Sequence, residues 1–576
     1  MRKNVLFLVV TLTTIVFSMM FAGAAILYGD LNADGSVDST DVTILKRVLL
    51  KKMTIEDTIA ADLNGDGEVN STDLTLLKRY LLKKITKFPV EDMDPTIAPT
   101  PTQEVTPTPT QKVTPTPTQE VTPTPTDTDG AVFAFKIRMD KGDMYEFPIR
   151  YIGENQKIAV DWGDGTTSVI TTNRKRHWYN EEGIYTIKVL SFDHMPLKFS
   201  GDTRLIEILM PLPDINETYF RNYFSGCSNL TKIPEGLFKN NVNAMNFSRC
   251  FYGCSSLTEI PEGIFANNVN ATDFSYCFYE CSSLTKISEG LFANNINVTD
   301  FKYCFSKCSS LTEIPERLFP SNVNKTDFCC CFADCTNLSK IPKRLFANNI
   351  NVTDFSSCFY GCSSLTEIPE GLFANNVNAE VFSACFYGCS SLTEIPEGLF
   401  VNNVNAIDFS YCFYGCSSIT EIPERLFANN VNATDFSYCF YGCSSITKIP
   451  EELFPNNINA TGFRYCFYGC SSLTEIPEGL FANNINVTDF RYCFSKCSSL
   501  TEIPERLFAN NINAKNFSYC FYRCNSLTEI PEGLFANNKN VTDFSYCFYG
   551  CSSLTEIPEG LFANNKNVTD FSYCFY

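Results

Sequence analysis

Twelve residues near the amino-terminal end carry oxygen at the spacing a hard cation requires. Asp30, Asn32, Asp34, Asp38 and Asp41 occupy positions 1, 3, 5, 9 and 12 of a loop, with Gly35 at position 6 for the sharp turn and the Ser36 carbonyl at position 7. A loop of this kind wraps a cation that prefers oxygen ligands, about six to eight of them. The pattern returns 32 residues later as Asp62, Asn64, Asp66, Gly67, Glu68, Asn70 and Asp73. One such loop is no more than an acidic turn. Two in register predict a pair of bound Ca2+ ions.

Short helices must follow the loops to hold them in place. Val42, Leu45, Val48 and Leu49 after the first loop, and Leu74, Leu77, Tyr80 and Leu81 after the second, recur at helical spacing. Each helix carries a basic pair, Lys46-Arg47 or Lys78-Arg79. The texts GDLNADGSVDSTDVTILKRVLL and ADLNGDGEVNSTDLTLLKRYLL closely resemble a type I dockerin over residues 27–90. The aspartate at position 12 of both loops is itself dockerin-like. The resemblance implies a small all-α calcium-binding module that plugs an extracellular subunit into a cohesin domain of a cellulosome scaffoldin. It also implies cohesin contacts at Ser39-Thr40 and Ser71-Thr72, assisted by Lys46, Arg47, Lys78 and Arg79, and two binding orientations from the near-identity of the halves.

The rest of the 576-residue chain reads as a mosaic of modules. Arg2 and Lys3, an apolar run from Val5 to Phe21 and Ala22-Gly23-Ala24 describe a secretory signal over residues 1–24. The alternative is an uncleaved anchor, and nothing later resembles a membrane span. Export to the cell exterior is expected, in a cellulosome or at the cell surface. Residues 91–129 are rich in proline and threonine, a semi-rigid extended spacer. A net charge of −19 argues against a nucleic-acid partner, which needs a basic face.

Residues 130–200 alternate as half-buried strands do, in Ala131–Ile137 and Tyr185–Val189. With Val160-Asp-Trp-Gly-Asp-Gly165 and His177-Trp-Tyr179, the segment resembles a PKD-type, immunoglobulin-like β-sandwich. His177 lies near Asp161, Asp164, Glu181 and Glu182 in sequence, and carboxylate pairs do acid–base work in glycosidases. A module this small builds no deep substrate cleft. A structural role is expected for all five.

From Gly226 to Tyr576 the text repeats every 27 residues, thirteen times, after a degenerate capping unit at 201–225 in which Tyr223 replaces a cysteine. A fixed period of this length signals a solenoid whose units bury their apolar faces against one another. Within a unit, Phe274, Cys277, Phe278 and Cys281 fall at the spacing of one helix face, and Leu257–Ile260 reads as a short strand ended by Pro261. The expected class is therefore an α/β solenoid. The run Asn540-Val-Thr-Asp-Phe-Ser-Tyr-Cys-Phe-Tyr-Gly-Cys-Ser-Ser-Leu554 resembles BspA-like leucine-rich repeat surface proteins, which implies binding or adhesion without naming a ligand. The last unit, stopping inside the expected helix, is expected to fray or to pair with another molecule.

All 28 cysteines lie between Cys227 and Cys574. Export favours disulfides, but on helices the β-carbons of residues four apart are about 5–6 Å apart, wider than the ~3.8 Å a bridge wants. Buried thiols between phenylalanines are expected, with some disulfides or a zinc site as alternatives. Cys329 and Cys330 break the pattern and are expected to be the exposed thiols.

The third residue of each expected strand forms one column. Lys232, Glu259, Lys286, Glu313 and Lys340 alternate in sign, whereas Glu475, Glu502, Glu529 and Glu556 do not. This last run is either a solvated acidic face or the receiver of a basic protein surface or a cation. Catalytic constellations occur once in a chain, and these carboxylates recur in unit after unit. The expected function is a non-catalytic cellulosomal subunit that docks through the dockerin and binds an unidentified protein or polysaccharide through its repeats. A cell-surface adhesin is compatible with it. The alternative is a dockerin-bearing polysaccharide hydrolase.

Overall fold

The computed structural model describes residues 28, 31, 37, 39–49, 60, 61, 63, 69–81, 87, 128–149, 156–171, 175–192, 197–319, 324 and 326–576. The expected signal segment and nearly all of the Pro/Thr spacer lie outside these residues. The chain divides into two compact units, Met1–Val121 and Thr122–Tyr576.

The first unit contains two helices, α1 (Ser39–Leu49) and α2 (Ser71–Leu81), each with an aspartate in its first turn. A negative side chain there satisfies free amides and favours the helix dipole. The apolar faces meet as expected, with Leu45, Leu63 and Leu77 fully buried and Val42, Leu49, Leu74 and Tyr80 packed against them. Among the described residues, no helix is long and apolar enough to cross a membrane.

The second unit opens with β1 (Phe133–Met139), β2 (Met144–Glu146), β3 (Ile158–Asp161), β4 (Thr167–Ile170), β5 (Arg176–Trp178), β6 (Gly183–Phe192) and β7 (Leu205–Ile208). Their order is β4-β3-β6-β1-β7 in one sheet and β2-β5 in another. Phe135 of β1 meets Tyr145 of β2, Phe147 and Phe199, while Phe147 packs edge-on against Trp162. β7 lies beyond residue 200, in the expected capping unit, yet pairs antiparallel with β1. The same strand meets the repeats, since Glu207 bridges in parallel to Lys232. Sheet and solenoid therefore share one continuous core.

In the repeats the structure corrects the sequence reading. Phe274, Cys277, Phe278 and Cys281 do not form a helix, and among the described residues the solenoid has none. The amides of Phe274, Tyr276, Phe278 and Glu280 instead donate to Asp300, Lys302, Cys304 and Ser306 of the next coil at 2.8–2.9 Å. The intervening Cys277, Tyr279 and Cys281 donate to residues three back at 3.0–3.2 Å. A residue in the left-handed region recurs in every coil, as at Tyr276 (φ 55°) and Tyr303 (φ 54°), and breaks any helical run. A helix would direct its amides four residues back along its own coil. Here the neighbouring coil offers them a ladder instead, and the phenylalanine spacing mimics a helix only because successive turns share one buried face.

The strands are equally short: β8 (Glu259–Ile260) and β9 (Lys286–Ile287) pair in parallel, and elsewhere only single bridges occur. Three other devices hold the coils. Phenylalanines stack in columns, as in Phe251–Phe278 at 5.3 Å and Phe413–Phe440 at 5.6 Å. Tyrosines stack outside them, as in Tyr438–Tyr465 at 4.5 Å and Tyr465–Tyr492 at 4.3 Å. Buried asparagines donate across coils, Asn430 Nδ2 reaching the Phe400 and Asn403 carbonyls at 3.1 and 2.8 Å.

Candidate functional site

In each half of the first unit, the aspartate at loop position 12 ends up fully buried: Asp41 at the start of α1, Asp73 at the start of α2. Asp41 Oδ1 accepts the Leu31 amide at 2.7 Å, and Asp73 Oδ1 accepts the equivalent Leu63 amide at 2.8 Å. Asp73 Oδ2 also accepts the Asn70 amide at 2.8 Å. Loop position 2 is thus tied to position 12 in both copies. A carboxylate removed from water must be paired, hydrogen-bonded or bound to a metal. The loop text around them supplies oxygen donors only, carboxylates foremost, the donor chemistry a hard cation such as Ca2+ prefers.

Asp30, Asn32, Asp34, Ser36, Asp38, Asp62, Asn64, Asp66 and Glu68 lie outside the described residues. Ser39, Thr40, Ser71 and Thr72 open the two helices, and Lys46, Arg47, Lys78 and Arg79 follow on them. Of these eight, only the Lys78 side chain is among those described, and it is exposed.

His177 is held structurally. Its ring stacks on Trp162 at 4.7 Å and 9°, meets Tyr179 edge-on, and places Nε2 2.7 Å from Asp164 Oδ2. Burial pushes the Asp164 carboxyl up, but hydrogen bonds from Thr166 and His177 outweigh it and hold the group below its ordinary range. Asp161 caps the turn by accepting the Gly163 amide.

All 28 cysteines are free thiols, and only Cys329 is not buried. The expected buried thiols are what the structure contains, though the helical geometry used to reach that expectation does not apply. Cys254, Cys416 and Cys470 donate Sγ–H to the Phe224, Phe386 and Phe440 carbonyls at 3.1–3.4 Å. Burial raises these thiols far above their ordinary range, so they are poor nucleophiles and poor metal ligands. Cys330, expected to be exposed, is only 8% so.

Glu475, Glu502, Glu529 and Glu556 are exposed and stand one coil apart, as expected. Glu475 is neutralised by Lys448 at 3.2 Å. Along this column Glu207 pairs through its backbone with Lys232, Glu259 with Lys286, Glu313 with Lys340 and Lys448 with Glu475.

A groove of about 970 Å³ lies over the coils from Glu367 to Pro450, not over the Glu475–Glu556 run. It is lined by Glu367, Glu394 and Glu421 and by a second row, Glu370, Glu397 and Glu424, with Lys448 at one edge. Sequence reasoning missed this second row. Its signal was the recurring Ile-Pro-Glu text of these coils.

Coils of 27 residues stacked by phenylalanine columns and inter-coil amide ladders define a leucine-rich-repeat class of solenoid. The BspA type leucine rich repeat region matches four overlapping stretches that together run from residue 210 to 575. The chain belongs to that family. A dockerin type I domain matches residues 28–82, inside the first unit. No curated protein matches the chain.

Among solved structures, the chain is similar to a leucine-rich repeat protein from Bacteroides ovatus (18% identity, 71% of this chain and 100% of that one, TM-score 0.29). It is also similar to a Toll–Spatzle complex structure from Drosophila (17% identity, 56% of this chain and 40% of that one, TM-score 0.28). A third is the ScaB dockerin complexed with the third cohesin of ScaC from Acetivibrio cellulolyticus (35% identity, 12% of this chain and 99% of that one, TM-score 0.12).

Proposed function

We propose that the chain is a secreted, non-catalytic subunit of a cellulosome-type assembly, docking to a scaffoldin cohesin through a calcium-loaded dockerin and presenting its repeats as a binding surface. The observation that carries this reading is the dockerin at residues 28–82, duplicated down to the buried Asp41 and Asp73 that close its two loops. Calcium neutralises the clustered carboxylates and lets the loops fold. Ser39-Thr40 and Ser71-Thr72 then offer equivalent cohesin contacts on helices of matching text. The β1–β7 segment acts as a PKD-like spacer that merges into the first coil.

Against the hydrolase alternative stands the recurrence of the repeat carboxylates, together with the structural engagement of His177 by Trp162 and Asp164. The repeat surface takes a basic protein face over Glu367–Glu424, where six carboxylates crowd and Lys448 at one edge and Lys343, paired with Glu370 at 3.6 Å, offset them only in part. Cohesin capture by the full chain tests the docking. Ser39→Ala with Thr40→Ala should leave capture largely intact, because the second half still docks, and adding Ser71→Ala and Thr72→Ala should abolish it. Undiminished capture in excess chelator would overturn the calcium-dependent docking.

A further inference from the structure

One coil departs from its neighbours in a chemically specific way. Where the other coils have a single cysteine after Ser, Lys or Arg and then Tyr, Ser, Ala or Arg, as at Ser275–Cys277 and Ser356–Cys358, this coil reads Cys329-Cys330-Cys331. Cys331 keeps the ordinary fully buried position, and the two substituted residues bring their sulfurs to 3.4 Å of each other. We propose that Cys329 and Cys330 form a redox-active vicinal dithiol that reacts with low-molecular-weight disulfides, closing a disulfide between the two adjacent residues.

Three features set this pair apart. Cys329 is half-buried, while every other cysteine of the chain is buried. The outer tyrosine column is interrupted here: Tyr276 stacks on Tyr303 at 4.5 Å, but Cys330, Ser357 and Ala384 follow in the next three coils before Tyr411. The adjoining tyrosine column also lapses, with Ser306 and Ala333 between Tyr279 and Tyr360. Small side chains beside the sulfurs leave room that rings occupy elsewhere.

The polar surroundings favour a thiolate. Hydrogen bonding from the Cys329 thiol, then from the Tyr303 and Ser357 hydroxyls, draws Cys330 below the ordinary thiol range against the opposing effect of burial. The same contact raises Cys329, its first cause being the bond to Cys330. One sulfur is thus a nucleophile and the other its proton-bearing neighbour, the division of labour seen in reactive thiol pairs. One buried thiol of each ordinary coil spends its Sγ–H on a phenylalanine carbonyl instead, as Cys254, Cys281 and Cys335 do.

The chemistry balances without a further reagent. The Cys330 thiolate attacks one sulfur of RSSR, forming Cys330–S–S–R and releasing RS⁻, which takes up a proton. Cys329 then loses its proton to solvent and attacks the Cys330 sulfur. The Cys330–SR bond breaks, a second RS⁻ leaves and is protonated, and the Cys329–Cys330 bond forms. Two protein thiols are oxidised, and one small disulfide is reduced to two thiols.

The test uses the folded full-length chain, kept reduced and then exposed to 2-hydroxyethyl disulfide, with intact mass and peptide mapping as readouts. The wild type should lose two hydrogens without retaining an adduct, and mapping should place the bridge between residues 329 and 330. Cys329→Ser should retain one hydroxyethylthio group on Cys330, since the resolving thiol is gone. Cys330→Tyr should react at least roughly tenfold more slowly than the wild type. Both substitutions restore the text of other coils (Ser275, Tyr276), so folding is expected to survive, and a thermal melt checks it. An unreactive wild type, a stable adduct on it, a bridge to another cysteine, or an undiminished rate in folded Cys330→Tyr would overturn the proposal.

Discussion

Glu207 and Lys136 face each other across the antiparallel strands β1 and β7, and the Glu207 carboxylate reaches the Lys136 ammonium at 3.3 Å. On its other side the same residue bridges in parallel to Lys232, whose ammonium lies 3.8 Å away. One residue thereby belongs to the sheet and to the first coil. The sheet is the inner end of the solenoid, and the apolar core confirms the continuity: Phe199 stacks on Phe224 at 5.4 Å and Phe224 on Phe251 at 5.2 Å.

This continuity predicts coupled unfolding. Trp162 and Trp178, the chain's two tryptophans, both lie in the sheet segment and report on it alone. Phe224→Ala, which removes a fully buried ring on the solenoid side, should cost about 3–5 kcal/mol. The tryptophan fluorescence transition in urea should shift to lower denaturant. A transition left where it was would mean that the sheet folds independently.

The calcium loops should bind independently enough to be counted. Titration calorimetry on the wild type should give two ions per chain, and Asp41→Ala or Asp73→Ala should give one each. Each substitution removes a buried carboxylate that ties its loop closed, so the far-ultraviolet helical signal should also weaken. Retention of two ions by Asp73→Ala would contradict the assignment.

Asp300 supplies a pH-dependent test. Burial first, then the neighbouring Asp273 and Asp327, push its carboxyl up to about 6. In an unfolded chain the group titrates near 3.9. A raised acid pKa means that folding favours the protonated form, so this group destabilises the fold above pH about 6 and ceases to do so as the pH falls below about 4. Asp300→Asn should therefore raise the melting temperature at pH 7, and the gain should fade on acidification. Asn246 and Asn516 show that the column accepts the amide, each donating Nδ2 to the next aspartate at 2.7 and 3.0 Å. A gain that grew toward acid pH would reverse the sign and sink the argument.

The glutamate groove should be a source of strain in the free protein. Replacing Glu367, Glu394 and Glu421 with glutamine should stabilise the solenoid by up to about 1 kcal/mol per adjacent pair at low salt, and by less as salt screens the charges. Thermal melts at two ionic strengths measure both effects. The same variant should lose affinity for a polylysine probe, and unchanged affinity would leave the groove a merely solvated face.

Much of this protein was legible in its sequence because the information is local. A calcium loop places its ligands within twelve residues, so Asp30 to Asp41 and Asp62 to Asp73 announce themselves by spacing. A period of 27 declares a solenoid however its coils are built. What spacing could not decide was where each amide would point. Phe274, Cys277, Phe278 and Cys281 have the period of a helix face, but inter-coil partners for Phe274, Tyr276 and Phe278 exist only once a second coil is in place. For the same reason the break expected near residue 200 is bridged by β7, whose two partners are about seventy residues behind it and about twenty-five ahead. The 3.4 Å contact of Cys329 with Cys330 likewise depends on the left-handed turn at Cys330 (φ 55°), which the stacking of coils imposes. Local pattern named the modules, and long-range hydrogen bonding and packing decided how their residues meet.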